Sequence, residues 1–246
     1  RIMSLPEYAS QSVGNVASKS TAFAKVLNDA GVDFCCHGSD GFSEACRKAG
    51  ADPEKVAKEL DSVVGVPAQM SHDFNTWPTD LLSDYVLKVH HRGIRQVGPK
   101  ILDLLAKVVE VHGPNHPELH EIQSLFQQTM VDLTNHLMKE EMMLYPFIYQ
   151  LCDGDLNHHS VQAFHCGSVE SPIGVMEAEH EEEGQRQEKI RQLTNDYTPP
   201  ADACGSLKLT YALLKQFKDD LHEHIHLENN LIFPRALEIE SRVVER

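Results

Sequence analysis

A chain of 246 residues, 41% of them hydrophobic, is long enough for one large domain or for a small and a medium one. Its 22 Lys and Arg against 37 Asp and Glu leave a formal net charge of -15, which repels phosphate backbones and excludes nucleic-acid binding as the main task. No run of about 18 apolar residues could span a bilayer and the first residues lack the order of a secretory signal, so the expected setting is the cytoplasm, off the membrane, with the six cysteines as reduced thiols.

Residues 1–65 read as a small helical domain carrying a cysteine pair. One helix is predicted over Ala17 to Ala30, stopped by Gly31, and the tight segment Asp33-Phe34-Cys35-Cys36-His37-Gly38 follows. A short helix ends near Gly50. Asp52-Pro53-Glu54 then has the form of an N-cap with proline at the first helical position, opening a third helix towards Val63. Residues 66–78, with Pro67, Asn75 and Pro78, have little periodicity and are expected to be a linker.

Residues 79–246 show long helical patterns and almost no strand alternation. Four helices are predicted: Thr79 to Val111, Pro117 to Leu151, Ile173 to Asn195, and Ala203 to Glu238, with a loop from Cys152 to Pro172. The short turns at Gly113-Pro114 and Thr198-Pro199-Pro200 make each pair antiparallel. The fold class is therefore all-α, an antiparallel four-helix bundle preceded by the small helical domain.

The second and fourth helices repeat one motif. His136-Leu-Met-Lys-Glu140-Glu-Met-Met-Leu-Tyr-Pro146 aligns with His224-Ile-His-Leu-Glu228-Asn-Asn-Leu-Ile-Phe-Pro234 in the His, the Glu, an aliphatic-aromatic pair and the proline. His91 lies 45 residues before His136, and His180 lies 44 before His224. Both midpoints fall on predicted turns, so each histidine pair is expected to face across its own hairpin at one height. Two packed hairpins then bring all four to a common layer. His and Glu at i and i+4 share a helix face, which adds two carboxylates. Four imidazoles and two carboxylates pointing inward are the donor set of a di-metal carboxylate bundle, suited to iron or manganese and acceptable to zinc.

These residues also carry a family resemblance. Asp33 to Gly38, His91 followed by Pro99, His136 to Glu141, Val175-Met-Glu-Ala-Glu179-His180-Glu, Thr198-Pro-Pro200 and the stretch His224 to Ala236 together resemble the iron-sulfur cluster repair di-iron proteins, also called repair of iron centres proteins, whose bundle is hemerythrin-like. The resemblance covers nearly the whole chain. It implies two non-haem iron ions held by His91, His136, Glu140, His180, His224 and Glu228, with both glutamates bridging and an oxo or hydroxo bridge between the ions. It also implies restoration of iron-sulfur clusters damaged by nitrosative or oxidative stress by supplying iron, with damaged iron-sulfur proteins as partners and nitric oxide or dioxygen as small ligands. Nitric-oxide reduction, or carriage or sensing of oxygen or nitric oxide, is the alternative. The oligomeric state is left open, with a homodimer among the candidates.

Beside this set, Cys35 and Cys36 are candidate redox or iron-ligating thiols if their pKa is lowered. Glu179 is expected to line the approach to the ions. The match and the repeat spacing select His91 over His90, which points about 100° away. His112, 21 residues beyond His91 and so roughly 30 Å along the axis, is expected at the turn. His222 and His226 are expected to be exposed on other faces of the fourth helix. The loop from about Leu156 to Ser168 is longer than usual for the family.

Overall fold

The computed structural model describes residues 5–64, 72–165 and 167–244, and its regular structure there is helical apart from isolated bridges. The amino-terminal unit contains α1 (Leu5–Ala9), α2 (Val13–Ala17), α3 (Thr21–Asp29), α4 (Phe42–Lys48) and α5 (Pro53–Ser62). The helix expected over Ala17 to Ala30 is broken at Ser18 to Ser20. Ser20 caps α3 by accepting a bond from the Phe23 amide at 3.1 Å, while Ser18 Oγ donates back to the Gly14 carbonyl. Asp52 caps α5 as its sequence signature predicts, accepting from the Glu54 amide. Tyr8, Phe23, Leu27, Phe34, Phe42 and Leu60 form this unit's own apolar core.

Residues 66–71 of the expected linker lie outside the described residues. His72 to Pro78 includes a short turn of helix, Phe74–Thr76, and Phe74 and Trp77 pack into the bundle's apolar core.

The bundle has four long helices: α6 (79–112), α7 (118–157), α8 (Glu170–Leu193) and α9 (205–243). Helix α7 runs past Leu151 to Asn157 and stops where His158 takes a left-handed conformation. Helix α8 ends in three successive left-handed residues, Asn195, Asp196 and Tyr197. Each helix packs on the two beside it in the order α6, α7, α8, α9 and back to α6. Helices α7 and α9 are therefore diagonal over most of their length, and their last segments, Tyr145–Asn157 and Phe233–Val243, pack directly on each other. No helix among the described residues is long and apolar enough to cross a membrane.

Three of the four helices contain a wide turn. Val86–His91 in α6, Glu140–Leu144 in α7 and Glu228–Ile232 in α9 are π-helical. In the last two, the amides of Tyr145 and Phe233 reach back five residues to the carbonyls of Glu140 and Glu228. Pro146 and Pro234 follow at once. Proline lacks an amide hydrogen and crowds the carbonyl four residues back, so widening the preceding turn lets each helix continue through it.

The amino-terminal unit docks on α9. Asn230 Nδ2 donates to the Phe34 carbonyl at 2.9 Å, and Lys218 Nζ and Asp219 Oδ1 bond the two ends of the Asn28 amide. The approach is close at Gly38, where a Cβ would collide with the Asn230 side chain.

Candidate metal centre

His91, His136, Glu140, His180, His224 and Glu228 are all buried and converge in one layer, between apolar side chains including Leu133 and Ile225 on one side and Leu144 and Phe233 on the other. Their donor atoms form two groups that share the carboxylates: His91 and His224 with Glu140 and Glu228, and His136 and His180 with the same two glutamates. Each group can hold a metal ion.

The expectation that each histidine pair faces across its own hairpin holds for His180 and His224, whose rings meet edge-on at 6.1 Å, but that pair is not the closest. The close ring pairs join different hairpins, His91 with His224 at 5.0 Å between centroids and His136 with His180 at 4.8 Å. The spacing along the helices set the height of each histidine. Which neighbour it meets is set by the packing of α9 beside α6 and of α8 beside α7.

The carboxylates sit between the imidazoles. Glu140 Oε1 lies 3.1 Å from His136 Nε2, and its Oε2 lies 3.4 Å from His91 Nε2. Glu228 Oε2 lies 3.0 Å from His224 Nε2 and 3.2 Å from His180 Nε2, while Tyr145 Oη donates to Glu228 Oε1 at 2.6 Å.

The outer nitrogens of three histidines are anchored. His91 Nδ1 donates to Glu141 at 2.8 Å, and Glu141 in turn takes two bonds from Arg95. His136 Nδ1 donates to Glu179 at 2.7 Å, with Lys139 closing on the same carboxylate. His180 Nδ1 donates to Asn229 Oδ1 at 2.7 Å, an orientation consistent with Asn229 Nδ2 donating to the Cys35 carbonyl. Each Nδ1–H leaves Nε2 with a free lone pair aimed into the layer.

Burial opposes charge in this layer, and the field of neighbouring groups overrides it at His136, Glu140 and Glu228 but not at His224. Against desolvation, the carboxylates of Glu140, Glu228 and Glu179 raise the His136 imidazole to about 9. The imidazoles of His224 and His180 hold Glu228 well below the usual carboxylate range despite its burial. Glu140 is lowered in the same way by His136 and His91. His224 falls to about 4, chiefly through burial.

Without a cation the layer is frustrated. Nε2 of His180 and His136 approach to 3.0 Å while both rings donate through Nδ1, so only the second proton of the raised His136 imidazole keeps the two lone pairs apart. Both oxygens of Glu140, Oε2 of Glu228, and Nε2 of His91 and His224 have no hydrogen-bond partner. Two ionised carboxylates taken out of water side by side cost several kcal/mol, and two cations satisfy all these atoms together. The residues fit a pair of metal ions.

The repeat also explains the supporting shell. Glu141 and Asn229 each follow a central glutamate and each holds the histidine of a neighbouring helix. Tyr145 and Phe233 are likewise equivalent, the first against the His91 ring and the second stacked on His180. The symmetry fails at Glu179, whose counterpart is His90. His90 does point away, pairing with Glu223 at 3.0 Å and stacking beside His224, so His224 Nδ1 has no acceptor where His136 has Glu179. Glu179 anchors His136 and also lines a cleft of about 250 Å³ that reaches His136, His180 and His224 from outside.

Cys35 and Cys36 lie against α8 at the level of this layer. Cys36 Sγ is 3.8 Å from the His180 carbonyl, and both cysteines line a cleft of about 640 Å³ between the amino-terminal unit and the bundle. The lowered pKa that would mark Cys35 as reactive is absent: the Cys36 thiol, burial and Asp33 together push it well above its ordinary value.

His222 and His226 are not the exposed residues expected. His226 is buried because the amino-terminal unit covers its face of α9: Ser18 Oγ lies 3.2 Å from Nε2, Asn230 Nδ2 lies 3.0 Å from Nδ1, and Phe34 meets the ring edge-on. His222 is partly buried and lines the larger cleft. Glu141, Asn229 and Tyr145 were not singled out from sequence; the acidic or amide residue after each central glutamate was the available signal.

Comparison with known proteins agrees with this geometry. Residues 83–236 match the family described as hemerythrin HHE cation binding domain, and residues 9–64 match a domain described as of unknown function, DUF542. The chain is 32% identical over 231 residues to the iron-sulfur cluster repair protein YtfE of Yersinia pseudotuberculosis serotype IB (strain PB1/+), covering 94% of this chain and 98% of the relative. The same identity and coverage hold for a probable iron-sulfur cluster repair protein of Haemophilus influenzae and for YtfE of Yersinia pestis (strain Pestoides F).

Proposed function

The chain belongs to the hemerythrin HHE cation-binding family and, over nearly its whole length, to the iron-sulfur cluster repair proteins, and from that premise we propose that it is a di-iron protein that repairs iron-sulfur clusters damaged by nitrosative or oxidative stress. The observation that supports this reading best is the pair of four-residue donor groups sharing Glu140 and Glu228. His91 and His224 would hold one iron, His136 and His180 the other, and the two glutamates would bridge. Bound iron supplies a ferrous/ferric couple and an exchangeable ion.

The chain's own groups define what this site does. Imidazole and carboxylate donors hold iron less firmly than thiolates, which suits an ion that is to be given up to a damaged cluster. The anchoring of three Nδ1 atoms keeps the Nε2 donors aimed inward when the ion leaves. Lys139 and Glu179 flank the smaller cleft, and Cys35 and Cys36 face the larger one as thiols that would receive iron or nitric oxide beside α8. The partners are damaged iron-sulfur proteins, with nitric oxide or dioxygen as small ligands.

A second reading, nitric-oxide reduction, draws on the same cleft, which admits a small molecule to the pair of ion positions. Steady turnover of nitric oxide to nitrous oxide with a reductant would favour it.

The deciding measurement is metal content with electron paramagnetic resonance of anaerobically purified chain, wild type against Glu140→Ala and Glu228→Ala. It is joined to recovery of activity in a nitric-oxide-damaged iron-sulfur dehydratase. Two irons in wild type, their loss in both variants, and recovery that depends on them are expected. One zinc and no iron, or no recovery with or without reductant, would overturn the reading.

A further inference from the structure

His112 is at the turn end of α6, where its height along the helix placed it, and it has a partner there. Its Nε2 lies 3.1 Å from Sγ of Cys204, a residue from the other hairpin at the N-cap position of α9. Cys204 is exposed.

The backbone around the pair favours opposite charges on the two side chains. His112 closes the α-helical stretch Arg92–His112, and a helix carboxy terminus favours a cation. Cys204 opens the stretch Gly205–Leu227, and a helix amino terminus favours an anion. Because α6 and α9 are antiparallel neighbours, these two ends meet.

We propose that Cys204 and His112 form an oxidant-sensitive modification site, in which the Cys204 thiolate is oxidised by hydrogen peroxide to a sulfenic acid and then capped by a low-molecular-weight thiol. The thiol proton passes to His112 Nε2. The sulfur attacks one peroxide oxygen, the O–O bond breaks as the S–O bond forms, and sulfur gives up two electrons. The His112 imidazolium hands its proton to the departing hydroxide, leaving water and a neutral imidazole. The low-molecular-weight thiol then attacks the sulfenic sulfur. An S–S bond forms, and the oxygen leaves as water with the attacking thiol's proton.

Two other thiols, Cys46 and Cys152, set a contrast. Burial pushes Cys46 and Cys152 up to about 11, whereas the His112 contact, with the amides of Leu207 and Ser206, brings Cys204 down to about 7. The groups facing the pair are His116, whose ring centroid is 6.3 Å from that of His112, and the Asp202 and Glu118 carboxylates bonded to His116. Cys204 precedes His224 by 20 residues on one helix, roughly 30 Å, so the site is separate from the metal layer.

The test is iodoacetamide competition on the whole metal-loaded chain, read at each cysteine by peptide mass spectrometry from pH 5.5 to 9. It is followed by hydrogen peroxide with a 1,3-dione trap for sulfenic acid. At pH 7, Cys204 is expected to react at least about tenfold faster than Cys46 and Cys152 and to carry the dione adduct. His112→Asn is expected to slow Cys204 about tenfold and move its midpoint towards about 8.5, while His116→Asn retains a midpoint near 7. Equal rates at the three cysteines, a Cys204 rate unchanged by His112→Asn, or no adduct at Cys204 would each overturn the proposal. All the substituted positions lie at the turn end of the bundle, and circular dichroism checks that each variant keeps its helices.

Discussion

Glu141 and Asn229 do the same work in the two halves of the bundle: one accepts the Nδ1–H of His91 at 2.8 Å, the other that of His180 at 2.7 Å. Each supports one histidine of a different ion position. Glu141→Ala should therefore weaken chiefly the position that contains His91, and Asn229→Ala the one that contains His180. Removing an anchor of this kind costs about 10- to 100-fold in metal affinity. Titration with limiting ferrous iron under anaerobic conditions should show one weakened equivalent in each variant and two in the double variant. Unchanged affinities would show that the anchors do not orient the donors.

Tyr145 is buried and its hydroxyl satisfies Glu228 Oε1. Tyr145→Phe leaves that oxygen without a protein partner in a buried layer. The metal-free variant should lose about 1–3 kcal/mol in urea unfolding, the cost of an unsatisfied buried acceptor. A change below about 0.5 kcal/mol would mean that water replaces the hydroxyl.

His226 makes the docking of the amino-terminal unit sensitive to acid. Burial lowers its pKa to about 4 from an ordinary 6.5. The unfolded chain then binds the proton first as pH falls, so stability contributed by neutral His226 is complete above about 6.5 and declines towards pH 4. At about 1.4 kcal/mol per pH unit, the decline reaches on the order of 3 kcal/mol. His226→Gln, which can still donate to Ser18 and accept from Asn230, should reduce the slope of stability against pH across that window in metal-free protein. Parallel wild-type and variant profiles would refute this assignment.

Gly38 lies so close to Asn230 that a Cβ would have to displace the amide. Gly38→Ala should cost about 1–3 kcal/mol, the usual range for overpacking. It should also raise hydrogen exchange in residues 34–38 and at Asn229 and Asn230 while leaving the far end of the bundle protected. Uniform protection across the chain would show that the contact relaxes without strain.

Much of the architecture was legible from sequence because helical spacing carries it. The four bundle helices, the two turns and the Asp52 cap follow from periodicity, Gly and Pro. The limits of that reading are local. Ser18-Lys19-Ser20 is compatible with one helix in the sequence, but Ser20 caps α3 and Ser18 reaches His226. The helices predicted over Pro117 to Leu151 and Ala203 to Glu238 do run through Pro146 and Pro234, but the wide turns that carry them through have no mark in the periodicity.

By itself the sequence determined height and face: the matched intervals from His91 to His136 and from His180 to His224 bring six donors to one level, and His112 falls at the turn. Tertiary structure decided partnership. Spacing along one helix cannot tell which neighbour packs on which side, so only the assembled bundle joins His91 to His224, His136 to His180 and His112 to Cys204. It likewise buries His226, whose place on α9 gave no sign of the domain that covers it.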